Sequence, residues 1–229
     1  MIKIRVFKAI DNLESCQKYL EGHMRVLKVY GITMITSANI EWFLDPNTYV
    51  IIAESEDESK IYGGARIQIA NGTLPLPIET AVSEIDSNVH DMIDKLSENG
   101  TGELCGLWNS REVAGYGLGS IYLGRVGVAI STFLDINTLF ALCAPSTVKN
   151  CIKVGFQVET TLGNDGTFYY PKDDLIATAV LLKDVKELST ADTFERKCIM
   201  DLRNNPKQKK NEQGIKEPFT ITYDLQINR

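Results

Sequence analysis

The chain has 229 residues, enough for one large domain or a domain with an extension. Hydrophobic residues make up 44 % and charged residues 24 %, as in ordinary soluble globular proteins. The formal net charge of −6 is spread rather than blocked, which speaks against a nucleic-acid-binding protein, where a basic face is expected. Cysteines stand at positions 16, 105, 143, 151 and 198 with no CxxC pair, so reduced, buried thiols in a cytoplasmic protein are expected. His23 and His90 lie far in sequence from any cysteine cluster, and no metal site is expected.

The opening "MIKIRVFKAIDN" has no apolar core or cleavage site of a signal peptide, and "IKIRVFKA" alternates as a first strand. Asp11 offers an N-cap, and "NLESCQKYLEGHMRVLKVY" has helical spacing up to Gly31. "ITMITSANIEWFL" is expected to contain a short helix, and Asp45-Pro46-Asn47 a turn. "TYVIIAES" and "KIYGGARIQI", separated by the acidic tip "EDES", predict a hairpin. "NGTLPLPIE" reads as an irregular loop, and "NVHDMIDKLSENG" as a short helix stopped by Gly100. "GELCGLWNS" is a strand, and Ser120 to Leu134 a helix apolar nearly all round.

"TLFALCA" is a core strand, "STVKNCIKV" a helix ended by Gly155, and "DLIATAVLL" another buried strand. The apolar window around residues 120–144 is interrupted by Arg125, Asp135 and Asn137, so no membrane span is expected. "RNNPKQKKNEQGIKEP" resembles a linker, while "FTITYDLQI" alternates strictly as a strand. That strand is expected to cover a sheet edge in its own subunit or in a second copy, so a homodimer is among the expected assemblies. Strands and helices mix without regular βαβ repetition, which predicts a single mixed-sheet domain, α/β or α+β, over residues 1–205. Residues 206–229 are read as a linker plus a C-terminal strand extension.

"REVAGYGLGSIYL" places Gly115, Gly117 and Gly119 directly before the buried helix. Glycines ahead of a helix N-terminus let a phosphate approach unpaired N–H groups. They are equally compatible with a plain strand-to-helix turn. A P-loop lysine is absent, and the spacing departs from GxGxxG. A coenzyme A pyrophosphate loop fits better.

The order of "LWNSREVAGYGLGSIYL", buried helix, "TLFALCAP" and "STVKNCIKVGF" resembles the core of the GNAT (GCN5-related N-acetyltransferase) superfamily over roughly residues 100–160, with Gly155-Phe156 where that family's pair is expected. The resemblance implies a central mixed, mostly antiparallel sheet flanked by helices. It also implies acyl transfer from acetyl-CoA or another acyl-CoA to a small-molecule amine. The chain departs from the family at Ala114, where Arg or Gln is usual, and at Cys151, where a general-acid tyrosine is usual. "GGARIQ", "TLPLPIE" and "GELCGLW" further resemble the acyl-homoserine-lactone synthase and N-acyl amino acid synthase branch, with Arg66 and Glu103 at matching positions and Gly106 where a basic residue is usual.

The resemblance implies roles for individual residues. Glu103 is the candidate base, and Tyr169, beside Tyr170, the candidate acid. Main-chain N–H groups around Leu107, Trp108 and Asn109 would polarise the carbonyl and pair with the pantetheine arm. Gly115, Tyr116, Gly117, Leu118, Gly119 and Ser120 would hold the pyrophosphate. Arg66 and Glu79 would face the acceptor, Arg66 as a carboxylate anchor or a structural ion-pair partner. Arg111, Arg125, Lys149 and Lys153 lie near enough in sequence to meet the phosphates. The expected function is direct N-acyl transfer from acyl-CoA. An acyl-carrier-protein donor and a catalytically silent acyl-CoA sensor are the alternatives.

Overall fold

A computed structural model describes residues 1–33, 36–110, 118–213 and 218–227. Ten strands form one sheet in the order β6-β8-β5-β4-β3-β2-β1-β10-β9, with β7 also pairing β8. The strands are β1 (Ile2–Lys8), β2 (Thr48–Ser55), β3 (Ile61–Ile69), β4 (Thr101–Asn109), β5 (Thr138–Cys143), β6 (Gln157–Val158), β7 (Thr167–Tyr169), β8 (Ile176–Leu182), β9 (Lys207–Gln213) and β10 (Pro218–Asp224). The helices are α1 (Leu13–Val29), α2 (Pro77–Val82), α3 (Asn88–Ser97), α4 (Ser120–Ser131), α5 (Pro145–Lys153) and α6 (Thr193–Asn204). The architecture is mixed α/β: an open, mostly antiparallel sheet with helices on both faces. Only β1–β10 and β4–β5 run parallel.

Local chemistry accounts for most boundaries. The cap of α1 is Asn12 rather than Asp11: its side chain accepts the Ser15 N–H at 3.0 Å, and Ala9–Asp11 instead form a 3-10 turn. Asp192 caps α6 by accepting from Phe194 N. Gly100 and Gly155 close α3 and α5 with φ of +85° and +110°, a region costly for other residues. The "ITMITSANIEWFL" segment holds two 3-10 turns, Thr36–Ala38 and Glu41–Leu44. "NGTLPLPIE" is not wholly irregular, since Pro77 starts α2 at a position where its missing N–H costs nothing.

One face of the sheet packs on α4, whose residues Tyr122–Ser131 are all buried. The other face is covered by α1 with Trp42 at one end and by α2 and α3 at the other. The stretch expected to be a linker is strand β9, antiparallel to β10 over Lys207–Gln213. Side-chain patterning cannot reveal this strand, because main-chain pairing to β10 makes it. Its lysines stand at the sheet edge, where they discourage further strand addition. β10 pairs with β1 of the same chain, so the terminal strand covers an edge within its own subunit. No helix among the described residues is long and apolar enough to cross a membrane.

Candidate active site

β4 and β5 are parallel neighbours for only three pairs, Thr101↔Thr138, Gly102↔Leu139 and Glu103↔Phe140. Beyond Glu103 the strands separate. From Leu104 onward the side of β4 turned to β5 carries main-chain groups that no neighbouring strand takes up. Such a cleft, at the carboxyl ends of two parallel strands, is a frequent ligand position in α/β sheets.

A bulge re-aims this part of β4. Gly64 faces Trp108 and Arg66 faces Cys105, so one β3 residue opposes Gly106 and Leu107 together. Gly106 has φ +58°, and a Cβ there would lie 2.3 Å from the Tyr19 hydroxyl. That hydroxyl donates to the Gly106 carbonyl at 2.6 Å. A side chain at Gly106 would have to adopt a strained backbone and displace the Tyr19 hydroxyl.

Glu103 is 2 % exposed and stands at the last pair before the strands part. One carboxylate oxygen accepts the Ile78 N–H, in the first turn of α2, at 2.7 Å. Burial pushes the carboxyl up to about 7, opposed by the Ile78 N–H and the Arg66 charge and assisted by Glu79. Glu79 accepts the Leu76 N–H at 2.6 Å and lies 2.8 Å from His90 Nδ1. The His90 side chain is 48 % exposed, so Glu79 is tied to an imidazole that reaches solvent.

Arg66 and Gln68 on β3 stand opposite Cys105 and Glu103 on β4 and share their face of the sheet. Arg66 is fully buried, with its guanidinium 4.6 Å from the Trp42 ring centroid. Gln68 donates to the Pro75 carbonyl at 2.9 Å and holds the loop before α2. From α1 come Tyr19 and His23. Burial first, then the Arg66 charge, lowers His23 to about 4, so its ring is neutral at physiological pH. His23 Nδ1, the indole nitrogens of Trp42 and Trp108, and Asn109 Oδ1 are buried without a hydrogen-bond partner. Unsatisfied buried polar atoms are costly unless a ligand or water meets them.

The donor-side residues divide. Gly115, Tyr116 and Gly117 lie outside the described residues, as does Arg111. Leu118 is buried and packs in the core under α4. Gly119 is the N-cap of α4 with φ −90° and no side-chain cap. A Cβ at Gly119 would meet nothing within 4 Å. Among the described residues, nothing at this position requires glycine. Ser120 Oγ accepts from Asn150 Nδ2 of α5 at 2.7 Å. Leu107 is partly buried, Trp108 packs under α1 against Gly22, and Asn109 pairs with Gly63.

Three sequence expectations need correction or refinement. Arg125 does not reach toward phosphates: it is buried and bonded to Glu195 and Glu212. Tyr169 is 67 % exposed on β7. Tyr170 instead points inward: its hydroxyl accepts the Thr36 N–H at 3.0 Å, and Thr36 Oγ1 donates to the Pro77 carbonyl beside α2. Sequence reading did not select Tyr19, His23 or Trp42. The helical spacing of Tyr19 and His23 marks a core-facing stripe and nothing more specific. Among the described residues, no group of His, Cys, Asp and Glu side chains could hold a metal ion.

No family model matches the chain. No curated protein matches it either. Solved structures do. FeeM, an N-acyl amino acid synthase from uncultured soil microbes, superposes with TM-score 0.60 at 13 % identity over 86 % of this chain and 97 % of its own. BjaI, a CoA-dependent acyl-homoserine lactone synthase solved with SAM and isopentyl-CoA, gives TM-score 0.55 at 12 % identity over 100 % and 94 %. A putative phosphinothricin N-acetyltransferase gives 0.51 at 16 % identity over 80 % and 98 %. The chain therefore shares the fold of these structures, a GNAT-like fold, with its parallel strands separating at Glu103.

Proposed function

We propose that the chain is an N-acyltransferase that moves an acyl group, acetyl in the simplest case, directly from acyl-CoA to a small-molecule amine. One observation carries this reading: a buried carboxyl raised to about 7 stands where the two parallel strands part. Near neutral pH such a group is poised to take a proton. Glu103 would remove the ammonium proton of the acceptor, directly or through water. Main-chain N–H groups of the Leu107–Asn109 segment would polarise the thioester carbonyl. The Gly115–Ser120 segment and the α4 N-terminus would receive the pyrophosphate. Arg66 and Glu79 would face the acceptor, and Glu79 with His90 would relay the proton outward.

Residues 1–205 would contain this acyltransferase unit, with the β9–β10 hairpin as its extension. The five buried cysteines support a reducing, cytoplasmic setting. No acid is assigned to the leaving thiolate: Tyr169 was the candidate, and its exposure leaves it without support. The likeness to FeeM and BjaI favours a second reading, an N-acyl amino acid or acyl-homoserine-lactone synthase-like enzyme with an amino-acid-type acceptor. Turnover of acetyl- and long-chain acyl-CoA, and of the same acyl groups on carrier protein, against an amine library tests both readings. Release of coenzyme A only with an amine present supports transfer. Binding of acyl-CoA without turnover of any amine would leave the sensor alternative.

A further inference from the structure

Cys143 ends β5, and Cys151 lies one helix later on α5; their sulfurs are 3.3 Å apart. Both side chains are buried, at 6 % and 7 % exposure. The other three cysteines are placed differently. Cys16 meets the Ala9 carbonyl, Cys105 lies at 3.8 Å from the Arg66 carbonyl, and Cys198 lies on α6. The contact between 143 and 151 is thus the one sulfur–sulfur approach among the described residues.

The surroundings let this pair move. Cys143 lies beyond the last β4–β5 pair, at Phe140, so its strand end is held on one side only, by Thr178 of β8. Helix α5 docks shallowly: Cys151 is its one fully buried residue, and Ile152 is 46 % exposed. An outward tilt of α5 would bare Cys151 at the edge of the core to which both cysteines belong. The two thiols also differ in acidity. Hydrogen bonding to Cys151 raises Cys143, and the same bond from Cys143 lowers Cys151. Cys151, on the outer helix α5, is placed to attack first, and Cys143, at the end of strand β5, to resolve.

We propose that Cys143 and Cys151 form a reversible disulfide site, oxidised by a low-molecular-weight disulfide and reopened by thiols. The Cys151 thiolate attacks one sulfur of the small disulfide RSSR, forming a mixed disulfide and releasing RS⁻. The Cys143 thiolate then attacks Cys151 Sγ, forming the internal bond and releasing the second RS⁻. The two protons of the protein thiols leave with the two RS⁻ as two RSH, and two electrons pass from the pair to the small disulfide. A disulfide needs the sulfurs at about 2.05 Å, so closure asks for a shift of only about 1.2 Å from the contact seen. The bond would fix α5 against β5, and with it Asn150, which holds Ser120 at the start of α4.

The test equilibrates the full chain with mixtures of reduced and oxidised glutathione, alkylates the remaining thiols under denaturing conditions, and maps the peptides. Of the five cysteines, three should alkylate at the oxidising end, with one internal bond joining 143 to 151. A dithiol reductant should restore all five. Cys143→Ser should instead accumulate glutathione on Cys151, and Cys198→Ser should behave as the natural chain. Full alkylation at every mixture, a stable glutathione adduct on the natural chain, or a bond mapping to other cysteines would overturn the proposal. The natural chain alone decides these outcomes, whatever the variants do to folding.

Discussion

Two buried charged clusters lie on opposite faces of this sheet, and they are built differently. Under α4, Arg125 donates to both oxygens of Glu195 at 2.8 and 3.1 Å and to Glu212 at 3.4 Å, while Tyr223 donates to Glu212 at 3.5 Å. That cluster is closed. Its partners tie α4, α6 and β9 into one body, with one guanidinium shared by two carboxylates and the Tyr223 hydroxyl on Glu212. On the α1–α2 face, Glu103 has one main-chain donor, and polar atoms of His23, Trp42, Trp108 and Asn109 are unpartnered. This cluster is open, with capacity left over for something not made of protein. A charge that is fully paired holds a structure together, and one that is incompletely paired is available for chemistry.

The sharpest break of this comparison is Arg125→Ala. It leaves Glu195 and Glu212 buried without a cation, and removing one partner of such a pair costs about 3–5 kcal/mol. Denaturant unfolding should show that loss, and a midpoint matching the natural chain would make the cluster ornamental. Glu103→Gln should do the opposite: turnover falls by about 10²-fold, a general-base effect of roughly 2.7 kcal/mol, while stability holds or rises. Full activity in a folded Glu103→Gln protein would remove the carboxylate from the reaction.

The open cluster also predicts a pH dependence. Glu103 titrates at about 7 when folded, against an ordinary value of 4.5. Between those values the unfolded chain releases its proton first, so stability falls as pH rises from about 4.5 to about 7 and is level above. Glu103→Gln should flatten that part of the stability profile, whereas turnover by the natural chain, on the proposed role of Glu103, should rise through about pH 7. A profile unchanged by the substitution would place the titration elsewhere.

Smaller effects sharpen the geometry. Gly106→Ala meets both a positive φ and the Tyr19 oxygen and should cost about 1–3 kcal/mol. Adding Tyr19→Phe should recover part of the loss, and strict additivity in the double-mutant cycle would deny the clash. Gly119→Val is the converse case. Its backbone φ of −90° and open surroundings predict a melting temperature close to that of the natural chain. Coenzyme A affinity should nevertheless drop, as calorimetry would read, because the side chain enters the space before the helix.

Sequence periodicity and turn chemistry by themselves determined the hairpin β2–β3, helices α1, α3 and α4, strands β5 and β8, and the alternating strand β10. Periodic burial marks α1, α3 and β10, while β2, β3, β5, β8 and α4 are near-continuous apolar runs bounded by turn residues, so local order carries the signal. The order of elements around residues 100–160 pointed to the fold. Tertiary structure alone decided the rest. Strand β9, "KQKKNEQ", has no apolar face to announce it and exists through pairing with β10. Arg125 looked like a phosphate ligand by proximity to the glycines, but its partners Glu195 and Glu212 lie 70 and 87 residues away. Tyr19, His23 and Trp42 join Arg66 only when α1 and the segment after it fold over the sheet, and Cys143 meets Cys151 only when α5 turns back on β5. Local sequence sets each element's period and ends, whereas the pairing of buried charges and thiols depends on distances that only chain closure creates.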